Sequence, residues 1–380
     1  MMDPYDRYEL IVNGRTVKTP IAIASMAGIV DADYVLARKE NIGMAFIGGY
    51  SIDEATINAS ALMEEEGRKE FISTDPAATL KAEIEKLAGT DVIPAINLRG
   101  SSPESFVSIA HELGDGVIYE IDAHCRQPAM ISAGCGEYYL QNTEKLAMVV
   151  SALKSTGVTV SVKIRAGVVE DDSELARLLW KAGADILHVD LMDFGSSKIK
   201  QIRNSCPLLL IANNSVNTFD RMKDLFAHGA DMVSLARNSD VNTLNYLDMA
   251  ISAYADETGW YNSPKQLCRG GDLRSLTFCC MPVKQCPLMP ALKRAGMTPK
   301  EYHDLKIESV QNTPLASGSS TCFGSLAWCC KGSTPCMFRD ISIKKEGISL
   351  ADYMRYKRRL SEKIMKRLFD EDNREEEIAG

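Results

Sequence analysis

A cysteine next to strand-like sequence is the first candidate for chemistry. Cys125 follows the apolar run GVIYEID in the stretch IDAHCRQP, where His124 and Arg126 flank the thiol. A thiol beside positive side chains could act as a nucleophile or a general acid, because such neighbours favour the thiolate. The alternative is a half-buried small apolar side chain, which is the commoner role of an arbitrary cysteine.

A pair of cations follows at the end of another apolar run. Lys163 and Arg165 stand two residues apart in VSVKIRAG, so an extended chain places both on one face. Paired cations at a strand end suit an electron-rich or anionic ligand. The alternative is an ion pair between Lys163 and Asp122 or Asp190.

The first 255 residues alternate short apolar runs with amphipathic stretches, a pattern typical of strands and helices in turn. Single helices between strands imply a parallel sheet, and eight strands in about 240 residues match an α/β protein of the (β/α)8 TIM barrel type. An open doubly wound sheet is the alternative, but Ser25-Met26-Ala27-Gly28 stands where its GxGxxG fingerprint is expected. The predicted strands are IAIAS (21–25), MAFIG (44–48), DVIPAIN (91–97), GVIYEID (116–122), VTVSVKI (158–164), ADILHVD (184–190), PLLLIAN (207–213) and DMVSLA (231–236).

A TIM barrel carries its chemistry at the carboxyl ends of its strands, and polar residues gather there in this sequence. The ends of strands seven and eight, at Asn213 and at Ala236-Arg237, are the usual place for a phosphate in this fold. The other candidate residues at strand ends are Ser25, Met26, Asn97, His188 and Asp190.

Beyond about Gly259 the chain changes character, because Gly, Pro, Ser and Cys become frequent and strand-like runs stop. FCCMPVKQC (278–286) and WCCKGSTPC (328–336) form a repeat, and GMTPKEYHDLK (296–306) matches GISLADYMRYK (347–357) downstream. We therefore predict a barrel over residues 1–255, a duplicated, mainly helical metal-binding domain over 256–369 and an acidic tail over 370–380. The candidate metal ligands are Cys268, Cys279, Cys280, Cys286, Cys322, Cys329, Cys330 and Cys336.

Clustered cysteines in a reducing compartment favour metal ligation over disulfides. Groups of four without histidine fit a [4Fe–4S] iron–sulfur cluster or zinc by ligand count. Cys-x2-Cys spacing is missing and Cys286 precedes a proline, which favours iron–sulfur. Disulfides or unligated thiols are the remaining alternatives.

The charge of each segment and the length of the apolar runs indicate whether the protein contacts polyanions or membranes. The first 255 residues hold 23 Lys and Arg against 35 Asp and Glu, whereas residues 258–369 hold 19 against 8. This basic segment could contact a polyanion such as tRNA. No apolar run approaches the roughly 18–20 residues of a membrane span, and the start MMDPYDRYELIV lacks a secretory signal. We expect a folded cytoplasmic protein that does not use a membrane.

Several motifs in one order resemble the tRNA-dihydrouridine synthase family over roughly residues 15–250. SMAGIVDADYV resembles the end of the family's first strand, and Asp122 and Cys125 fall on the Asn and Cys of its catalytic stretch. VKIRAG, LLIANNSV and VSLARN match its later strands. His124 and Arg126 differ from the residues that flank the family's cysteine. Asp190 stands where the family has a flavin-contacting His.

The resemblance implies a flavoenzyme that binds flavin mononucleotide (FMN) and reduces the C5=C6 bond of uridine in tRNA. NAD(P)H or another donor would reduce the flavin, and Cys125 would supply a proton as general acid. Lys163 would lie by the flavin ring, with Ser25, Met26 and Asn97 around it. Ala236 and Arg237 would hold the phosphate.

The cysteine repeats resemble the methanogenesis marker 9 domain of methanogenic archaea, which points to an anaerobic cytosol. Two alternative functions therefore remain open. One is a methanogenesis-associated iron–sulfur electron-transfer or cofactor-assembly protein on a repurposed barrel, with a redox partner. The other is a zinc-dependent nucleic-acid-binding protein.

Overall fold

The structure, a computed structural model, describes residues 7–259, 267–316, 325–329, 331 and 335–369. The chain divides into two compact units. One comprises Asp3–Met222 and Ala230–Ala250, and the other comprises Met1–Met2, Lys223–Gly229 and Ile251–Gly380. The predicted acidic tail over 370–380 lies outside the described residues. Within the described ranges, no helix has the length and apolar character needed to cross a bilayer.

Eight parallel strands close into a barrel in the first unit. Neighbours pair in chain order, and the last strand pairs with both its predecessor and the first barrel strand, so the ring has no edge. The predicted (β/α)8 fold is confirmed, and the open sheet is excluded. The barrel strands are β3 (Ile21–Ile23), β4 (Met44–Ser51), β5 (Ile93–Arg99), β6 (Ile118–Ala123), β7 (Thr159–Arg165), β8 (Ile186–Asp190), β9 (Leu209–Asn213) and β10 (Met232–Leu235).

A short antiparallel hairpin, β1 (Ile11–Val12) with β2 (Arg15–Thr16), precedes the barrel and was not predicted. Helices follow the barrel strands. They are α1 (Ala32–Leu36), α2 (Glu54–Glu65), α3 (Pro76–Lys86), α4 (Pro103–Leu113), α5 (Pro128–Ser132), α6 (Tyr138–Gln141), α7 (Thr143–Lys154), α8 (Asp172–Lys181), α9 (Ser197–Arg203), α10 (Phe219–Ala227) and α11 (Val241–Thr258).

Period-two alternation inside the strands places polar side chains within the barrel. Glu120 and Asp122 lie on one face of β6, and both are buried. Lys163 on β7 and Asn97 on β5 are buried in the same way. The apolar residues between them lie on the opposite face of each strand, so the sequence pattern itself directs these polar groups into the barrel interior.

The described part of the second unit is built from helices and 3-10 turns around two apolar clusters. Thr298 and Ser349 stand at matching positions of the repeat, and each accepts a backbone N–H at a helix start. The 3-10 turns span Leu267–Arg269, Leu273–Phe278, Pro314–Ala316 and Leu326–Trp328. The helices are α12 (Leu288–Arg294), α13 (Pro299–Val310), α14 (Met337–Lys345) and α15 (Leu350–Leu368).

The cap of α2 should contribute more stability than an ordinary cap. The Asp53 carboxylate accepts N–H bonds from Thr56 at 3.0 Å and from Ser101, just beyond β5, at 2.6 Å. We predict that Asp53→Ala lowers the free energy of unfolding by about 1–2 kcal/mol in urea denaturation. Among the described residues, the exposed cap Asp75 accepts a backbone N–H from Ala78 alone, so Asp75→Ala should cost about 0.5–1 kcal/mol.

The same pair of variants gives a pH test. Although burial opposes it, the bonds from Ser101 and Thr56 lower the pKa of Asp53. A lowered folded-state pKa gives stability that is present above about pH 4 and lost as the pH falls further. The difference between wild type and Asp53→Ala should therefore shrink below about pH 4. A difference that is constant down to pH 2 would contradict this assignment.

Candidate active site

A cavity of about 720 Å³ opens at the carboxyl ends of the barrel strands. This is the end at which TIM barrels place their active sites. His188 is the one sequence-predicted barrel residue that is not on its wall. The predicted residues on the wall are Ser25, Met26, Asn97, Cys125, Lys163, Arg165, Asp190, Asn213, Ala236 and Arg237.

Cys125 lies just past β6, with 8% of its surface exposed. Its backbone N–H donates to Asp122 Oδ1 at 3.0 Å, and its carbonyl accepts from Glu137 N at 2.8 Å. Gly136 has φ +67°, and a Cβ there would come within 2.1 Å of the Cys125 carbonyl oxygen. The chain is thus held on both sides of the thiol.

The surroundings of the Cys125 side chain favour the thiol over the thiolate. Burial raises its pKa, and the opposing effect of Arg99 does not overcome it. The expectation that positive neighbours would favour the thiolate is therefore wrong at this position. A protonated sulfur at neutral pH is suited to donating a proton.

A buried arginine, which the sequence analysis missed, holds the end of β6. Arg99 donates from Nε to Asp122 Oδ2 at 3.1 Å and from Nη1 to Glu70 Oε2 at 2.5 Å. Burial acts to raise the pKa of Asp122, but Arg99, then His124 and Lys163, outweigh it and lower that pKa. Asp122 is therefore an anion whose partner is Arg99.

Lys163 spans the barrel to the first strand's end instead of pairing with an acid. Its Nζ donates to Ser25 Oγ at 3.0 Å and contacts the Ser25 carbonyl oxygen at 3.4 Å. Among the described ion pairs, Asp122 pairs with Arg99 and Asp190 pairs with His124. The described residues therefore do not form the predicted alternative, a direct ion pair between Lys163 and Asp122 or Asp190.

His188 lies one layer below the cavity. It is fully buried, with Nδ1 2.8 Å from Glu120 Oε2 and Nε2 2.7 Å from Ser234 Oγ. Burial lowers its pKa, against the effect of Glu120. Two residues of strand separate it from Asp190, which is roughly 6–7 Å of rise and explains why only Asp190 reaches the wall.

Asn97 joins this buried layer to the cavity. Its Nδ2 donates to Glu120 Oε1 at 2.8 Å, which fixes the orientation of the amide. Its Oδ1 is buried without a hydrogen-bond partner among the described residues. A Cβ at Gly49 would lie 2.7 Å from that oxygen, so glycine leaves the approach to it open. An unused acceptor on a cavity wall is suited to a ligand N–H.

Two side-chain pairs, linked by the contact of Arg165 with the His124 carbonyl, lie at another side of the cavity. His124 Nε2 lies 2.7 Å from Asp190 Oδ2, and Arg165 Nε lies 2.8 Å from Glu137 Oε1. Burial acts to raise the pKa of Asp190, but the His124 bond and charge outweigh it and lower the pKa to about 2. The carboxylate that departs from the resembled family thus has His124 as its hydrogen-bond partner.

Turns after β9 and β10 complete the wall. Asn214 and Ser215 both have positive φ, 98° and 56°, so the chain turns sharply beside the cavity. The Asn213 amide donates to Ser234 Oγ at 2.8 Å, which ties the two strand ends together. Arg237, at the exposed rim, adds a guanidinium to these turns. Backbone turns and a guanidinium are suited to a phosphate.

The cysteines of the second unit have mixed exposure. Cys268 is exposed, Cys329 is buried, and Cys279, Cys280, Cys286 and Cys336 are intermediate. All cysteines in the described ranges are free, so no disulfide forms there. The predicted ligands Cys322 and Cys330 lie outside the described residues. Within the described ranges, no group of three or more His, Cys, Asp or Glu is placed to hold a metal ion.

Comparisons with known proteins fit this geometry. Residues 68–243 match the family model for dihydrouridine synthase (Dus). The uncharacterized protein MJ0115 of Methanocaldococcus jannaschii is 48% identical over 108 residues, which is 28% of this chain and 70% of that protein. The chain therefore belongs to the same family as MJ0115.

Two further similarities cover more of the chain. The uncharacterized protein MJ0144 of the same organism is 29% identical over 233 residues, which is 57% of this chain and 88% of that protein. The crystal structure of DHODH in complex with ferulenol from Eimeria tenella has a TM-score of 0.51 at 13% identity. The match covers 67% of this chain and 85% of the DHODH chain, and it shows a similarity of fold alone.

Arg99 should be essential to the stability of the site. In Arg99→Leu, Asp122 and Glu70 would be left buried without their shared cation, so we predict a loss of about 3–5 kcal/mol in the free energy of unfolding. Urea denaturation measures it. The matched control is Arg177→Leu on the exposed face of α8, which should change stability by under about 0.5 kcal/mol. Equal losses in the two variants would contradict the assignment.

Proposed function

We propose that this member of the MJ0115 family is a flavin-dependent reductase that saturates the C5=C6 bond of uridine in tRNA. The match of residues 68–243 to dihydrouridine synthase supports the reaction class. The observation that carries the proposal is geometric: Cys125, Lys163 and the Ala236–Arg237 turn lie on the wall of one cavity. The residues that we propose as proton donor, flavin-contacting cation and phosphate-binding turn therefore line one cavity.

The residues on the wall fit FMN. The cavity of about 720 Å³ falls within the usual range for cofactor sites. The unused Oδ1 of Asn97 could accept an N–H from the ring system, and Lys163 could stabilise negative charge on its pyrimidine edge. Arg237 and the turn at Asn214 and Ser215 could hold the phosphate.

When bound and reduced by an electron donor, FMN would supply a hydride to C6 of the uracil. Cys125 would give its thiol proton to C5, so the C5=C6 double bond would become a single bond, and the resulting thiolate would regain a proton from solvent. Burial holds the proton on the sulfur until that step. Asp122 keeps the chain that carries Cys125 in place through its bonds to His124 N and Cys125 N, both at 3.0 Å.

Electrons would come from NAD(P)H or another donor. The basic segment 258–369 is the proposed contact for tRNA, and exposed cations of α15 such as Lys363 and Lys366 support it. Iron–sulfur or zinc binding by the cysteine repeats and their resemblance to the methanogenesis marker 9 domain stay predictions. Neither is needed for the barrel chemistry.

Replacing Cys125 tests both substrate and role. Full-length protein loaded with FMN and reduced anaerobically is mixed with unmodified tRNA, and dihydrouridine is measured by mass spectrometry of the digested tRNA. We predict product with wild type and a rate about 10²–10⁴-fold lower with Cys125→Ala, because the proton donor is lost. Reduction of the bound flavin by the donor should be unchanged.

The matched control is Cys206→Ala, since Cys206 is also buried but precedes β9 and does not line the cavity. It should retain the wild-type rate. Wild-type protein that is reduced yet forms no dihydrouridine would overturn the substrate assignment. Equal rates for the two alanine variants would overturn the role of Cys125.

A further inference from the structure

A second, smaller cavity lies beside β4. It has a volume of about 320 Å³, and its wall is formed by residues of β4, of α3, of the N-terminal cap of α1 and of the segment between α2 and α3. None of these residues lines the larger cavity, so the two cavities have separate walls. The residues on the wall are Asp31, Tyr50, Glu70, Phe71, Ile72, Ser73, Thr79 and Glu83.

The wall of this second cavity is acidic. It carries the carboxylates of Asp31, Glu70 and Glu83, and the described residues on it include no lysine, arginine or histidine. Asp31 accepts the backbone N–H of Tyr34 at 2.8 Å, and it has no ion pair within the described ranges. The wall therefore carries negative charge that its own residues do not neutralise.

The cations that reach two of these carboxylates from outside the wall are shared with other acids. Arg99 Nη1 lies 2.5 Å from Glu70 Oε2, and Nε of the same arginine lies 3.1 Å from Asp122. Lys86 Nζ lies 2.8 Å from Glu83 Oε1 and 3.2 Å from a second carboxylate, in α1. Because each cation serves two carboxylates, the cavity keeps an excess of negative charge.

Two polar groups of buried residues on the wall lack a hydrogen-bond partner among the described residues. Glu70 Oε1 is one of them, and Arg68 Nε lies 3.7 Å from it, beyond hydrogen-bond distance. The other is the hydroxyl of Tyr50, a residue that is only 3% exposed. Burial, with the charges of Glu83 and Asp31, raises the pKa of Tyr50, so its hydroxyl stays neutral. Buried acceptors without partners are rare and indicate a ligand that donates to them.

Two aromatic rings form a flat part of the same wall. Tyr50 and Phe71 stack with their ring centroids 4.7 Å apart and their planes at 17°. The backbone at Phe71 forms a parallel bridge with Tyr50 at the end of β4. Gly28 has φ +68°, and a Cβ there would lie 2.6 Å from Glu70 N, so glycine allows this segment to pack closely. Aromatic rings beside carboxylates are typical of a site for an organic cation.

We propose that this second cavity binds a primary alkylammonium ion, whose N–H groups would donate to Glu70 Oε1, the Tyr50 hydroxyl oxygen and the Asp31 carboxylate. An ammonium group has three donors and one positive charge, which match these acceptors and the excess negative charge. Its alkyl chain would lie against the rings of Tyr50 and Phe71. A metal ion fits less well, because no group of three or more His, Cys, Asp or Glu in the described ranges is placed to hold one.

Putrescine is the probe, because it carries primary ammonium groups on a short alkyl chain. Full-length protein is titrated with putrescine in an isothermal calorimeter, and 1,4-butanediol is the uncharged control of the same chain length. We expect one saturable site for putrescine and no binding of the diol. Added salt should weaken the binding of putrescine, because salt screens the attraction between the charges.

Two conservative variants test the proposed acceptors. Asp31→Asn removes the charge but keeps the cap of α1, since asparagine caps helices as well as aspartate does, and it should weaken putrescine binding about 10-fold. Tyr50→Phe keeps the ring but removes the hydroxyl, and it should weaken binding about 5-fold. Glu85→Gln, at an exposed position of α3, is the matched control and should bind like wild type.

Three results would overturn the proposal. The first is wild-type protein without saturable binding of putrescine. The second is an Asp31→Asn variant that binds putrescine as tightly as Glu85→Gln does; if Asp31→Asn does not fold, Tyr50→Phe decides in the same way. The third is displacement of putrescine by an equal concentration of MgCl2, which would identify a metal site. No flavin or tRNA enters the titration, so its outcome is separate from that of the dihydrouridine assay.

Discussion

The carboxylate of Asp122 is the contact on which the candidate site depends. One oxygen accepts the N–H groups of His124 and Cys125, and the other accepts Nε of Arg99. One side chain therefore ends β6, turns the chain and fixes the position of the Cys125 thiol. Because Arg99 also binds Glu70, the position of the thiol is tied to the segment that follows α2. Rigid support of this kind is what a proton donor needs if it is to meet one carbon atom of a substrate.

The polar side chains inside the barrel form two layers. The lower layer joins Glu120 to His188, Ser161 and Asn97, with every contact at 3.0 Å or less. The upper layer faces the cavity and holds Lys163 against Ser25. A satisfied polar network beneath the cavity floor keeps the side chains above it in fixed orientations. The Asn97 oxygen is the described acceptor left over at the boundary, which is where a ligand with an N–H group would complete the network.

The strands and the rim were predictable from sequence because they depend on local pattern. Apolar runs with period-two polar residues placed Lys163 and Arg165 on the cavity wall, and cap residues placed Thr298 and Ser349 at helix starts. Which side chains contact each other was not predictable, because barrel closure brings together residues that are distant in the sequence. Arg99 and Asp122 are 23 residues apart, and Ser25 and Lys163 are 138 residues apart. In the second unit, the repeated tyrosine and lysine were visible as a pattern, but only packing shows that Lys306 and Lys357 are buried.

The central claim is that the barrel cavity binds FMN. Its most direct test is to titrate the full-length protein with FMN and to measure the quenching of flavin fluorescence. The cavity is expected to bind one FMN per chain, and Lys163→Met should bind it more weakly while Cys125→Ala binds it as wild type does. That outcome would place the flavin at the wall that Lys163 shares with Asn97 and Arg237. A protein that neither contains FMN when isolated nor quenches its fluorescence would contradict the account.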